Sequence, residues 1–369
     1  MLSGARAVAR ETTEIDSDAD FFASLRGREL SRLDLTRQTY LDWTGSALHP
    51  TSLVQCHARA LRDMVLGNPH SDSVASRAST ELVEQARAAV LDFLDASSEE
   101  YDVCFTANAS GALRLIGEAF PFGRRSRLVI SADNHNSVNG IRTYARATGA
   151  TVRILPLDAD LRLEGGIDAL GSERVDAPSL FAFPAQSNFS GVRHPLGLID
   201  RAHELGFDVL LDAAAFLPTA PLSLRSVRAD FVALSLYKIA GYPCGVGALV
   251  ARRDSLTRLR RPSFTGGTVE AVSAWDDVHL MKTGAEAFED GTVNFLGVAA
   301  VPAALEFMRG IGMSRISRRV GGLARDLRDR LASLRHVNGA PLVALYGADG
   351  TDRGGTIAFN VLDSAGAVI

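Results

Sequence analysis

Lysine is almost missing from this chain of 369 residues: two lysines stand against thirty-seven arginines. Arginine stays protonated and does not form Schiff bases under ordinary conditions, whereas lysine can lose its proton and attack a carbonyl. Where only positive charge is needed, this chain uses arginine. Each lysine is therefore a candidate for amine chemistry. Lys238 sits in Ser235-Leu-Tyr-Lys-Ile-Ala-Gly241, while Lys282 lies in an ordinary polar stretch and reads as a surface residue. Cysteine is scarce too. Cys56, Cys104 and Cys244 are odd in number and lack metal-ligand spacing. That excludes a disulfide framework and a cysteine-built metal site, and it fits a reducing, cytoplasmic setting. Cys104 in Val103-Cys-Phe105 and Cys56 in a helical stretch read as buried core residues. No apolar run approaches the length that crosses a membrane. A net charge of −4 argues against a general nucleic-acid or polyanion binder. The start carries arginines but no secretory apolar core, and Glu11, Glu14, Asp16, Asp18 and Asp20 follow at once. Residues 1–20 thus read as a disordered head.

What is present is an alternation of helix and strand. Leu82, Ala86, Ala89, Phe93 and Leu94 recur at helical spacing behind Ser79-Thr80. Short apolar runs bounded by polar or glycine breaks cover 103–106, 128–131, 152–155, 180–183, 209–212, 231–236 and 248–251. Their lengths and their β-branched and aromatic content suit buried strands. Helices are expected over 112–120 and over 196–205, the latter stopped by Gly206. The pattern predicts an α/β fold, a mainly parallel sheet sandwiched by helices, over a large domain 46–297. Helices over 299–308 and 316–334 and strands over 342–345 and 356–362 suggest a smaller α/β domain, 298–369, packed with an N-terminal segment, 21–45. The chain stops just after a strand, and this domain is expected to need more chain to cover it.

In a parallel sheet, ligands bind at the carboxyl ends of the strands. Here those ends deliver Tyr237 and Lys238, then Asp212, then Thr106-Ala-Asn-Ala-Ser110-Gly111 before a helix, then Asp133-Asn-His135-Asn, and lastly Pro184-Ala-Gln-Ser-Asn188. Each piece suits pyridoxal phosphate. A lysine amine can hold its aldehyde as a Schiff base. A carboxylate favours the protonated ring nitrogen, and that ring accepts electrons from a substrate carbanion. A helix start offers free N–H groups to a phosphate, with the Ser110 hydroxyl and close backbone approach at Gly111. His135 can stack on the ring, and Asn188 can donate to its phenolic oxygen. A strand-end lysine, a strand-end acid and a helix-start anion site together point to a lysine-bound cofactor enzyme.

Several segments carry a likeness: Tyr40-Leu-Asp-Trp-Thr-Gly45, Leu66-Gly-Asn-Pro-His-Ser71, Phe105-Thr-Ala-Asn-Ala-Ser110, Phe183-Pro-Ala-Gln-Ser-Asn-Phe-Ser-Gly191, Leu211-Asp-Ala-Ala-Ala-Phe216, Ser235-Leu-Tyr-Lys-Ile239 and Phe288-Glu-Asp-Gly-Thr-Val-Asn294. The chain resembles the aminotransferase class V group of fold-type I pyridoxal-phosphate enzymes, which includes cysteine desulfurases. Within that group it is most similar to the amino-terminal domain of molybdenum cofactor sulfurases. The resemblance implies that Lys238 is the Schiff-base lysine, Asp212 the partner of the ring nitrogen, His135 the stacking group and Asn188 the neighbour of the phenolic oxygen. It matches Ser110, Gly111 and Ser235 to the phosphate cradle, with Tyr237 where many desulfurases have histidine. Gly291-Thr292 would reach the phosphate of a neighbouring subunit, which implies a homodimer with shared active sites and an amino-acid substrate, cysteine. Two departures stand out. Ala215 occupies the place of a glutamine common in desulfurases. The persulfide-forming cysteine and the carboxylate-binding arginine of desulfurases lie beyond the strand that 356–362 resembles. Three readings stay open: a desulfurase, a pyridoxal-phosphate aminotransferase, β-lyase or epimerase that needs no cysteine, and a non-catalytic dimeric partner on the same fold.

Overall fold

The computed structural model describes residues 18–347, 350 and 352–369. The expected head, 1–20, lies outside them except for its last residues, which begin the helix Asp18–Glu29. Each of the seven expected runs in the large domain is a strand: β1 (Tyr101–Thr106), β2 (Arg127–Ser131), β3 (Thr151–Leu155), β4 (Leu180–Pro184), β5 (Asp208–Asp212), β6 (Phe231–Ser235) and β7 (Gly247–Arg252). They form one sheet in the order β1-β7-β6-β5-β4-β2-β3. The pairs from β3 through β6 are parallel, and β7 alone runs against its neighbours β6 and β1. The fold is thus α/β with a mixed, mostly parallel sheet.

Side chains alternate between two apolar layers, as the two-residue period of a strand requires. Val103, Phe105, Phe181, Phe183, Val209, Leu211, Val232 and Leu234 face one layer. Cys104, Leu180, Ala182, Leu210, Phe231 and Ala233 face the other. Because both faces are covered, the strands read as continuous apolar runs.

Three features depart from expectation. A hairpin of β8 (Val269–Val272) and β9 (His279–Met281) is present. It was not foreseen, because most of its side chains face solvent and give no buried period. The helix Val301–Ile311, assigned from sequence to the small domain, buries Val301, Ala304, Leu305 and Met308 in the same core as β1 and β6. Cys56 is exposed rather than buried, because the helix Thr51–Asp63 turns Leu53 and His57 inward.

Beyond Gly312, the helix Met313–Ser333 packs beside the hairpin of β10 (Val343–Tyr346) and β11 (Ala358–Val361). The N-terminal helix joins it there: Arg315 Nε lies 3.0 Å from Asp18 Oδ1, and the Arg315 guanidinium sits 4.3 Å from the Phe21 ring centre.

One buried ion pair braces β1. Arg87, on the helix Val74–Phe93, meets Glu289 in two hydrogen bonds of 2.8 Å. Glu289 Oε1 also accepts from the Phe105 N–H at 2.7 Å. Burial alone would pull the Arg87 pKa down, but bonding to Glu289 and its charge hold it above the ordinary arginine value. Glu289→Ala would leave the buried Arg87 guanidinium with only Glu84 and the Val103 carbonyl as hydrogen-bond partners, and would strand a buried N–H. We expect it to cost about 3–5 kcal/mol in urea denaturation; an unchanged midpoint would contradict this role.

Candidate active site

The carboxyl ends of β1, β2, β4, β5 and β6 open onto one cavity of ≈ 120 Å³, lined by Ser110, His135, Asn188, Asp212, Ser235, Tyr237 and Lys238, among others. The structure thus brings together seven of the residues singled out from sequence, and leaves two outside.

β6 stops at Ser235, one residue earlier than expected, and Lys238 rides on the short helix Leu236–Ala240. Gly241 ends that helix at φ +71°. A Cβ there would fall 2.3 Å from the backbone of Leu48 and His49, so only glycine fits. The Tyr237 carbonyl accepts from the Ala47 N–H at 3.2 Å, which ties the lysine turn to the N-terminal segment. Among the described residues, no hydrogen bond or ion pair engages the Lys238 amine.

Asp212 ends β5 and is 7% exposed. Its Oδ1 accepts from the Ala214 N–H at 3.0 Å. Burial pushes its carboxyl above the usual carboxylate range, and the Ala214 N–H and the charges of Lys238 and His135 only partly oppose this. A desolvated acid and an unengaged amine therefore face one cavity without closing on each other.

The helix after β1 starts at Ala109, three residues before the expected start at 112. Its cap is Asn108, whose Oδ1 accepts from the Gly111 N–H at 2.9 Å. Ser110 is thus in the first turn and lines the cavity, while the Gly111 N–H is occupied and Gly111 lines a second cavity. The Ala109 N–H donates to Ser235 Oγ at 2.9 Å, so β6 pins the helix start. Gly247 on β7 lies directly beneath: a Cβ there would come within 2.4 Å of the Asn108 carbonyl carbon. Backbone cannot move aside as a side chain can. Gly247→Ala is therefore expected to destabilise the fold by about 2–4 kcal/mol and to weaken anion binding at Ser110. Thermal unfolding and phosphate-competition titration check both.

His135 ends the loop after β2 and caps the short helix Asn136–Asn139. Its Nδ1 accepts from the Ser137 N–H at 3.2 Å, and the Ser137 hydroxyl bridges to Ser110 Oγ at 2.6 Å. Asn188 stands half-buried in the turn after β4. Next to it, Gln186 donates from Nε2 to the Ala215 carbonyl at 2.9 Å and accepts from Arg193 Nε at 3.1 Å. Gln186 thus builds the wall beside the small Ala215 side chain. Sequence reasoning missed the roles of Asn108, Ser137 and Gln186. Asn108 did carry a signal, as an N-cap residue type after a strand.

Thr292 lies elsewhere. It lines the second cavity, ≈ 370 Å³, with Arg114, Arg261, Asp290 and Asn294, and its hydroxyl accepts from Asn68 Nδ2 at 3.3 Å. Cys104 is buried and its thiol is pushed well up by burial; Cys56 and Cys244 are exposed, and no cysteine lines the first cavity.

A mostly parallel sheet whose strand ends gather a lysine amine, a buried acid and a helix start around one cavity is the architecture of the α/β fold-type I class. The chain belongs to the aminotransferase class-V family, whose model matches residues 39–367. Over 94% of its length it is 39% identical to a molybdenum cofactor sulfurase of Bos taurus, of which it covers 42%. Among solved structures, the apo cysteine desulfurase of Thermococcus onnurineus NA1 matches with a TM-score of 0.80 and 26% identity, covering 92% of this chain and 82% of that one. The cystine lyase C-DES, solved with glycine linked to its pyridoxal-phosphate cofactor, shares the fold with a TM-score of 0.74 at 18% identity, over 91% of this chain and 86% of that one. The chain spans less than half the length of the curated sulfurases it matches.

Proposed function

We propose that this chain binds pyridoxal phosphate at Lys238 and uses it to release sulfur from cysteine, as part of a sulfurase-like protein. The observation that carries the reading is the pairing of an unengaged Lys238 amine with the buried Asp212 carboxyl on one cavity beside a hydroxyl-bearing helix start. These donors fit the cofactor group by group. Lys238 Nζ would hold its aldehyde and Asp212 its ring nitrogen. Ser110 and Ser235 would hold its phosphate, and His135 and Asn188 its ring face and phenolic oxygen.

When bound, the cofactor supplies an electron-withdrawing ring conjugated to the substrate amine. The chain's own residues do the rest. Asp212, desolvated at the end of β5, holds a proton at the ring nitrogen through its charge. Lys238 Nζ, with no other partner to leave, moves a proton to and from the substrate Cα. The Ser137–Ser110 bridge keeps the imidazole wall and the anion site in register. The thiol that accepts sulfur is not Cys104, because burial keeps it protonated.

Thr292 lies off the Lys238 cavity, which supports a homodimer in which it serves the partner's phosphate. The exposed, unpaired thiols of Cys56 and Cys244 support a reducing cytoplasmic setting.

The test is turnover of L-cysteine by the loaded protein with dithiothreitol present. Alanine and sulfide are expected in equal amounts. Pyruvate with sulfide would mean β-elimination instead, and a keto acid without sulfide would mean transamination; either result overturns desulfuration to alanine.

A further inference from the structure

The cavity walls carrying His135 and Asn188 come from separate loops, and one buried pair joins them. His194 Nε2 lies 2.8 Å from Asp133 Oδ2, with side-chain exposures of 0% and 6%. Asp133 Oδ1 accepts from Ser131 Oγ at 2.8 Å, and the His194 N–H donates to the Ala185 carbonyl at 3.2 Å. Between them, Asn134 Nδ2 donates to the Ala182 carbonyl of β4 at 3.0 Å. Asp133 lies two residues before His135, and His194 follows the turn that holds Gln186 and Asn188.

The arrangement is costly. His194 Nδ1 and Asn134 Oδ1 are buried with no hydrogen-bond partner, and buried polar atoms left unmet destabilise a fold. The tautomer that leaves no donor unmet carries its proton on Nε2, donated to Asp133. A comparable pair at the opposite end of the strands shows the difference. Asp230 accepts from His203 Nε2, Ser255 Oγ and the Val209 N–H, and His203 is 29% exposed. That pair has no buried polar atom left unmet and lines neither of the two cavities described above. An incompletely met pair persists at the ligand end of the sheet, where it fixes two loops at once.

We propose that Asp133 and His194 are positioning residues: their bond fixes the His135 ring against the cavity and locks its loop to the loop of Gln186 and Asn188. The effect on cofactor binding rests on the pyridoxal-phosphate reading above; the effect on the His135 ring does not. Partners standing behind metal-ligating side chains are worth about ten- to a hundredfold in affinity or activity, and the same scale is expected for a side chain held against this cavity.

The experiment compares Asp133→Ala and His194→Gln with Asp230→Ala as a control for stability alone. In protein without cofactor, the ring resonances of His135, identified by their loss in His135→Ala, are expected to move in both Asp133→Ala and His194→Gln and to stay in Asp230→Ala. In titrations with pyridoxal phosphate, the Kd is expected to rise about tenfold or more in Asp133→Ala. The visible absorption maximum of the complex shifts with it, and Asp133→Asn, which keeps an acceptor for His194, restores part of the affinity. Asp230→Ala is expected to lower Tm yet leave the Kd within about twofold. If Asp133→Ala fails to fold, His194→Gln carries the comparison. Unmoved His135 resonances in that variant would overturn the proposal, as would equal effects from the Asp133 and Asp230 variants. A wild-type protein that does not bind pyridoxal phosphate would sink the function proposed above, while the His135 resonances would still decide the role of the pair.

Discussion

Lys238→Ala is expected to lower cysteine turnover by at least about 10³-fold, the loss that follows if Lys238, as proposed, both anchors the cofactor and moves a proton. The fold should hardly notice. No hydrogen bond or ion pair among the described residues engages the amine, so the cofactor-free variant should melt within a few degrees of the wild type. Lys282 gives the contrast. Its amine lies 3.0 Å from Glu286 Oε2, a partly exposed i,i+4 pair. Such pairs contribute about 0–1 kcal/mol. Lys282→Ala should therefore leave turnover unchanged and stability nearly so. Steady-state kinetics and thermal unfolding of the two variants side by side separate a chemical lysine from a structural one. Comparable turnover in the two variants would refute the assignment.

Asp212→Asn is expected to stabilise the cofactor-free protein while it weakens catalysis. Burial raises the Asp212 carboxyl above its unfolded value. A raised acid contributes stability that is fully present below the unfolded pKa, about 4, and lost as pH rises through the folded value. Above that range the ionised group is a strain on the empty protein, and asparagine removes it. The variant's Tm should exceed the wild type's at neutral pH, and the gap should close as pH falls towards about 4. The loaded enzyme should respond in the opposite sense. Without the carboxylate, the ring nitrogen loses the charge that holds its proton, and turnover should fall by about a hundredfold or more, as when other preorganised charges are removed. Such a stability–activity trade is what a functional site predicts of its own strained group. If the variant gains no stability at any pH, Asp212 is not the desolvated acid described here.

Much of this was legible in the sequence, for physical reasons. Strands buried on both faces announce themselves as short apolar runs, so β1 to β7 appear with ends shifted by a residue or two. Lys238, Asp212 and His135 were legible because each follows such a run, and a parallel sheet sends its ligand to that end. The start of the helix at Ala109 was misplaced because Ser110-Gly111 looked like the boundary, whereas Asn108 makes the cap bond. Gln186, Ser137 and the Asp133–His194 pair were hidden for another reason. Each acts across a gap in sequence, between loops whose mutual packing no local pattern encodes. The helix Val301–Ile311 misled in the same way: its periodicity was visible, but the layer receiving its apolar face was not. The resemblance implied that Thr292 reaches the phosphate of a neighbouring subunit, and Thr292 lines the second cavity rather than that of Lys238.

The proposed function turns on Lys238 being the amine that holds the cofactor. The most direct measurement loads the protein with pyridoxal phosphate, reduces it with sodium borohydride and maps the modified peptide by mass spectrometry. A pyridoxyl group on the peptide bearing Lys238, absent from Lys238→Ala, is the predicted result. A label on Lys282, or no label on either lysine, would contradict the account.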